Sequence, residues 1–178
     1  MLSYPIFATK IFNVVTIDIM IWGFLWALVI LIFYEHFSEH DRSSKISGHF
    51  KILFMASLIS CAIILGRFSL AQTRLNLSYT YLLIGLASFL IFLLIMLKIK
   101  KPYFIFHKFL LASFFFAFLH LTHELTSLKI GQWYFPGQYL ANINILGLIF
   151  PIEEFVFWIL LSAMVVLALY EYFVDDEK

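Results

Sequence analysis

From Leu75 to Leu97 the chain runs for 23 residues without a charge. A helix rising about 1.5 Å per residue needs about 20 mainly apolar residues to cross a hydrocarbon layer about 30 Å thick. Five segments of the chain meet that requirement. They run from about Ile11 to Phe33, Ile52 to Ala71, Leu75 to Leu97, Tyr103 to Leu121 and Asn144 to Tyr170. None shows the strict alternation of a membrane β-barrel strand, so helices remain as the way to satisfy the backbone in lipid. The N-terminal run has no basic cluster before it and no small-residue cleavage site after it, so it reads as a spanning helix rather than a leader. The expected fold is all-α, a polytopic transmembrane helical bundle of about five spans. With 63% hydrophobic and 13% charged residues in 178, the composition excludes a soluble domain and a disordered chain. A net charge of +1 offers no basic field for nucleic acid, and the single Cys61 excludes an internal disulfide.

Five spans place the two ends of the chain on opposite sides. Lys10, Arg67, Arg74 and Lys129 fall on the N-terminal side; Arg42, Lys45, Lys51, Lys98, Lys100, Lys101, Lys108 and Lys178 fall on the other. That excess makes the second side cytoplasmic, with the N-terminus outside and the C-terminus inside. The chain divides near Asn76 into residues 1–75, with two spans and little chemistry, and residues 76–178, with three spans. Glu35, His36, Glu39, His40 and Asp41 read as a solvated helix end. The segment from Arg42 to Gly48 reads as a turn-rich connection, and Asp175 to Lys178 as a solvated tail.

Ionisable groups inside spans are costly, so their placement is informative. Asp18, Arg67, His120, His123, Glu124, Glu153 and Glu154 all fall at the N-terminal-side ends of their helices. Parity alone gathers them into one leaflet as a polar pocket with an apolar floor. Asp18 and Arg67 read equally as pocket residues or as interfacial anchors. His120 and His123 read first as locally hydrogen-bonded groups and only second as metal ligands. Glu153 and Glu154 lie in a 26-residue stretch, Ile145 to Tyr170, with no other charge, and nothing structural requires two adjacent carboxylates there. Neighbouring helical residues point about 100° apart, so one glutamate can reach the pocket while the other meets a neighbouring helix or loop. His120 and Glu124 share a face if their helix continues that far. Two carboxyls close together in an apolar site cannot both ionise easily, which equips the pocket with one acid and one base. The aromatic-rich run from Gln132 to Tyr139 reads either as an interfacial belt or as a lid whose ring faces stabilise a cation. Trp22, Trp26 and Phe33 read as lipid-facing or packing bulk.

Glu124, then Trp133 nine residues on, then Tyr134, then the run Pro151-Ile152-Glu153-Glu154-Phe155-Val156-Phe157 resemble the lycopene cyclase domain. This is the small membrane domain of the heterodimeric bacterial, fused archaeal and bifunctional fungal carotenoid cyclases. The resemblance covers about Asn76 to Phe173, three spans in the family's order. It departs from the family at Glu124, where Asp is usual, and at His123, where Trp is frequent. An active cyclase is similar to two such domains side by side, and residues 1–75 contain no Pro-x-Glu-Glu. The resemblance therefore implies either that residues 1–75 are a degraded second half or that the chain pairs with a second copy of itself or with a related cyclase subunit.

What the resemblance implies is acid-initiated, non-redox ring closure of a linear polyene such as lycopene. Neither flavin nor nicotinamide is required, no cofactor is expected, and no metal is assigned. Glu153 or Glu154 would donate the proton, and Glu124 would orient it or act as base. Trp133 and Tyr134 would shield the cation, and Phe155 and Phe157 would line the polyene channel. His120, His123, Asp18 and Arg67 would complete the binding pocket. Two alternatives stay open. One is a non-catalytic carotenoid-binding or partner subunit. The other is a CAAX-type intramembrane metalloprotease, similar through Glu153-Glu154-Phe155 but with Trp158 where that family has Arg.

Overall fold

The computed structural model describes residues 10–11, 15–38, 79–99, 102–135 and 137–174, together with the separate positions 51, 52, 55, 59, 62, 63 and 66. Arg67, Arg74, the Glu39–Asp41 part of the polar run, the connection after it and the C-terminal tail lie outside the described residues. The separate positions are all helical.

The first apolar segment does not begin as helix. Lys10–Ile11 (β1) pairs antiparallel with Val15–Thr16 (β2), where β-branched residues favour extended backbone. Helix α1 then covers Ile17–Phe37, which moves Asp18 from mid-span into the first turn. There its negative charge meets the positive end of the helix dipole. Helix α2 covers Thr80–Met96 and is 17 residues long. It spans about 26 Å, slightly less than a hydrocarbon layer.

Helix α3 covers Pro102–Lys129, 28 residues, well past the expected end near Leu121. Proline is at home in the first helical turn, where its missing N–H breaks no bond. The far end is closed by Gly131, whose φ of 68° lets its N–H reach the Leu128 carbonyl at 3.1 Å while Gln132 N–H reaches Ser127 at 2.9 Å. That paired arrangement is a Schellman cap.

The last apolar segment departs most from expectation. The span is expected from about Asn144, although the sequence leaves Tyr139 to Phe150 open between a loop, a half-helix and a re-entrant segment; there Asn142–Ile145 (β3) and Leu148–Pro151 (β4) form an antiparallel hairpin, Ile145 opposite Leu148. Leu146 and Gly147 make its two-residue turn at φ 55° and 81°, and Asn144 Oδ1 accepts the Gly147 N–H at 2.9 Å. Two consecutive positive φ values are what a tight type I′ hairpin turn demands, and glycine meets the demand at no steric cost. The helix begins only after Pro151. A π-helical segment, Glu154–Leu160, leads into α4, Ser162–Phe173, with a bend of 45° between them. The all-α expectation thus holds for the bulk of the described chain but omits both short hairpins.

Ile17–Phe37 and Pro102–Lys129 are each long and apolar enough to cross a membrane, and the bent C-terminal pair makes a third if it is one span. At one end of the bundle the Tyr34 hydroxyl donates to Glu171 and the Tyr170 hydroxyl to Glu35. These pairs join the last turns of α1 and α4, so the two helices run parallel. The main core, including Ile30, Tyr34, Phe92, Phe109, Phe116 and Leu167, fills that half of the molecule with apolar side chains. A smaller cluster of Ala117, Phe150 and Ile159 ties the hairpin to α3 and the π-helical segment.

Gly85 sets the distance between α2 and the π-helical segment, because a Cβ there would overlap the Phe157 ring. Small residues allow this kind of close helix approach in membranes. Gly85→Leu is expected to cost about 1–3 kcal/mol through overpacking. A lowered thermal midpoint in detergent checks this, and an additional Phe157→Ala should restore part of the loss.

Candidate functional site

The buried face of α3 is written at helical spacing: Ser113, Phe116, His120, Glu124 and Ser127 recur every three or four residues and are all buried. Because α3 continues to Lys129, His120 and Glu124 sit one turn apart on that face. The hairpin and Pro151 deliver Glu153 and Glu154 opposite them. His120, Glu124, Glu153 and Glu154 are 3%, 1%, 2% and 7% exposed. One nitrogen of His120 and one oxygen each of Glu124 and Glu154 lie within 4.8 Å of one another.

The two adjacent glutamates have different surroundings, as the angular step of a helix requires. Glu154 faces His120 and Glu124. Glu153 turns to the loop, where its Oε1 accepts the Leu140 backbone N–H at 2.6 Å. The Trp133 indole N–H donates to Glu124 Oε1 at 2.9 Å, which anchors the aromatic loop on α3. His120 Nδ1, Glu153 Oε2 and Glu154 Oε2 are buried with no hydrogen-bond partner. The Trp158 backbone carbonyl accepts a hydrogen bond from the His120 ring. Trp158 lies inside the π-helical segment, where Leu161 N–H bonds back five residues to Val156 at 3.2 Å. Such wide turns break the ordinary i to i−4 ladder and recur at functional sites.

Trp22 and Trp26 wall the site rather than facing only lipid. Trp22 stacks on His123 at 5.5 Å and meets His120 edge-on at 5.6 Å, and Trp26 meets His120 at 5.1 Å between ring centroids. His123 in turn lies 5.1 Å from the Trp133 ring. Helix α1, expected to carry little chemistry, therefore contributes a wall of the pocket. Asp18 lies one turn before Trp22, half-buried at the same end of the bundle.

A second set of rings joins two members of the aromatic run to Tyr81 and Trp158. Tyr81 meets Phe135, Tyr139 and Trp158 at 6.0, 5.9 and 6.3 Å. Tyr81 interacts electrostatically with Glu154 and Glu124, and Tyr139 with Glu154 and Glu153. Burial first, then the two carboxylates, push the Tyr139 phenol above its ordinary value, so it stays a neutral hydroxyl. The only advance signal for Tyr81 was its place near the start of an uncharged helix, which says nothing about its neighbours.

The other expected residues are spread around this centre. Tyr134 is exposed and lines a cavity of about 270 Å³ with Phe135, Tyr139, Phe150 and Pro151, and none of the three glutamates lines it. Phe155 packs with the Ala117, Phe150 and Ile159 cluster, whereas Phe157 packs across Gly85 of α2. The two phenylalanines thus occupy different sides of the segment. Arg67 lies outside the described residues.

Comparison with protein-family models, curated proteins and solved structures gives no match. The site is therefore read from its own chemistry: a buried carboxyl pair, an imidazole at its side and aromatic rings on two flanks.

Trp133→Phe keeps the ring face but removes the donor to Glu124. Leaving a buried carboxyl oxygen without its bond is expected to cost about 1–3 kcal/mol. Thermal unfolding in detergent measures it, and an unchanged midpoint would mean that the indole N–H contributes nothing.

Proposed function

We propose that this chain is a membrane polyene cyclase, or the subunit of one, which closes a six-membered ring at the end of a linear carotenoid such as lycopene. The observation that carries the reading is the buried approach of Glu154 to Glu124, with aromatic rings beside both carboxyls. Among the described residues no lysine or arginine pairs with either carboxyl. Two carboxyls so placed hold one proton between them more easily than two negative charges.

Glu154, which faces the pocket centre, is the proton donor. Transfer of its proton to the terminal double bond of the polyene leaves a tertiary carbocation. The next double bond attacks that cation, forms the ring carbon–carbon bond and moves the charge into the ring. Loss of a ring proton to a carboxylate, Glu124 or the ionised Glu154, gives the neutral ionone ring. The step is an isomerisation: no electrons are gained or lost, and the proton returns to the site. Trp158, Tyr81 and Tyr139 offer ring faces to the migrating charge, and Trp133 holds Glu124 in place. Glu153 acts by position, tying the Leu140 backbone over the pocket. The cavity beside Tyr134 and Phe135 serves as a vestibule for the polyene end.

The proposal includes the architecture that hydropathy and the Lys/Arg bias imply: five spans, the polar pocket in the outer leaflet, the N-terminus outside and the C-terminus cytoplasmic. It also includes assembly with a second copy or a related subunit, because a cyclase of this type is similar to two such domains. The test is pigment chromatography of a lycopene-accumulating bacterial host expressing this chain alone. Monocyclic or bicyclic carotene establishes the activity and self-assembly. Unchanged lycopene beside a well-expressed membrane protein withdraws the self-sufficient cyclase.

A further inference from the structure

We infer that His120, Glu124 and Glu154 form a binding site for a divalent first-row transition metal ion. The inference does not rest on the cyclase reading, because it concerns only what these three side chains can hold. One nitrogen and two carboxylate oxygens already lie within 4.8 Å of one another, from two different elements of the fold. In a tetrahedral site with metal–ligand bonds of about 2.0–2.2 Å the donors lie about 3.3–3.6 Å apart. Closing the set onto a metal therefore needs up to about 1 Å of side-chain adjustment, which small χ rotations of the two glutamates supply.

Two of the three ligands carry buried atoms with nothing else to bind. Glu154 Oε2 and His120 Nδ1 have no hydrogen-bond partner, in residues 7% and 3% exposed. The ligands are also held from behind, as metal ligands generally are. The Trp158 carbonyl takes one ring N–H of His120, which leaves the other nitrogen with a free lone pair. The Trp133 indole fixes one oxygen of Glu124 at 2.9 Å. The charge balances as well: two carboxylates match a divalent ion. An imidazole among the donors favours zinc, iron, nickel or copper over calcium or magnesium. Three protein ligands leave at least one coordination position open.

Metal and proton are alternatives at Glu154. With the ion bound, both carboxylates are ionised and no acid remains, so a loaded site does not protonate an alkene.

The test is direct. The full chain is purified in detergent, stripped with a chelator and titrated with cobalt(II), read by its visible ligand-field absorption and by calorimetry. One equivalent should bind, and Glu35→Gln, at the far end of α1, should leave that binding unchanged. His120→Ala should weaken it at least tenfold, as even outer-shell changes cost 10–100-fold in affinity. Glu154→Gln, the isosteric change, should do the same and serves alone if His120→Ala does not fold. No stoichiometric binding by the parent protein overturns the inference. Binding that survives Glu154→Gln at full strength overturns it too.

Discussion

Glu154→Gln should lower the proposed ring formation by about 10²–10⁴-fold, the usual contribution of a positioned general acid, while the protein still reaches the membrane. The substitution keeps the shape of the side chain and removes only its acidity. Glutamine still fills the space facing His120 and Glu124, so packing survives. It cannot deliver a proton to an alkene. The informative control is Glu153→Gln. Glu153 is bonded to the Leu140 backbone N–H, and the glutamine carbonyl can accept the same bond. This variant should keep much more activity than its neighbour. Pigment chromatography from the same lycopene-accumulating host measures both. Equal loss in the two would mean that Glu153 also exchanges protons, and full activity in both would end the acid assignment.

Trp158→Leu should slow ring closure by about 30-fold, whereas Trp158→Phe should retain most of the rate. A desolvated cation–π contact contributes about 2 kcal/mol, and each 1.4 kcal/mol corresponds to a factor of ten in rate. The indole lies 6.3 Å from Tyr81, in the ring cluster beside the carboxyls. Leucine is apolar but smaller, and it offers no negative ring face to a carbocation. The backbone carbonyl that accepts from His120 belongs to position 158 whatever its side chain, so neither variant loses that bond. Single-turnover conversion of lycopene in detergent or vesicles separates rate from binding. A Trp158→Leu protein as fast as the parent would remove the ring from the mechanism.

Much of this site could be read along the chain. The uncharged runs identify a membrane protein because a backbone in hydrocarbon must satisfy itself, and no other element suits 20-residue apolar segments. The acidic residues stand out because charge in a span is expensive and nothing nearby in sequence offsets it. Helical spacing predicts that His120 and Glu124 share a face, and the continued helix gives them that face. The same spacing predicts that Glu153 and Glu154 diverge, one to the pocket and the other to a neighbouring helix or a loop, and it is the loop that Glu153 meets.

Other features escaped because hydropathy carries no turn geometry. Leu146-Gly147 is as apolar as its neighbours, yet its two positive φ values fold the expected start of the last span into a hairpin. Thr16 and Val15 likewise look like span residues by hydropathy, and their β-branched preference appears only as a short strand. The chain by itself determined a membrane location, a helical bulk and a set of carboxyls gathered toward one end. Tertiary structure decided which glutamate meets Glu124, that Trp22 and Trp26 of α1 wall the histidines, and that Tyr81 and Trp158 share a ring cluster. Those partners lie tens of residues apart, and no local period encodes them. They meet only because whole helices pack, and packing depends on the summed shape of every face at once.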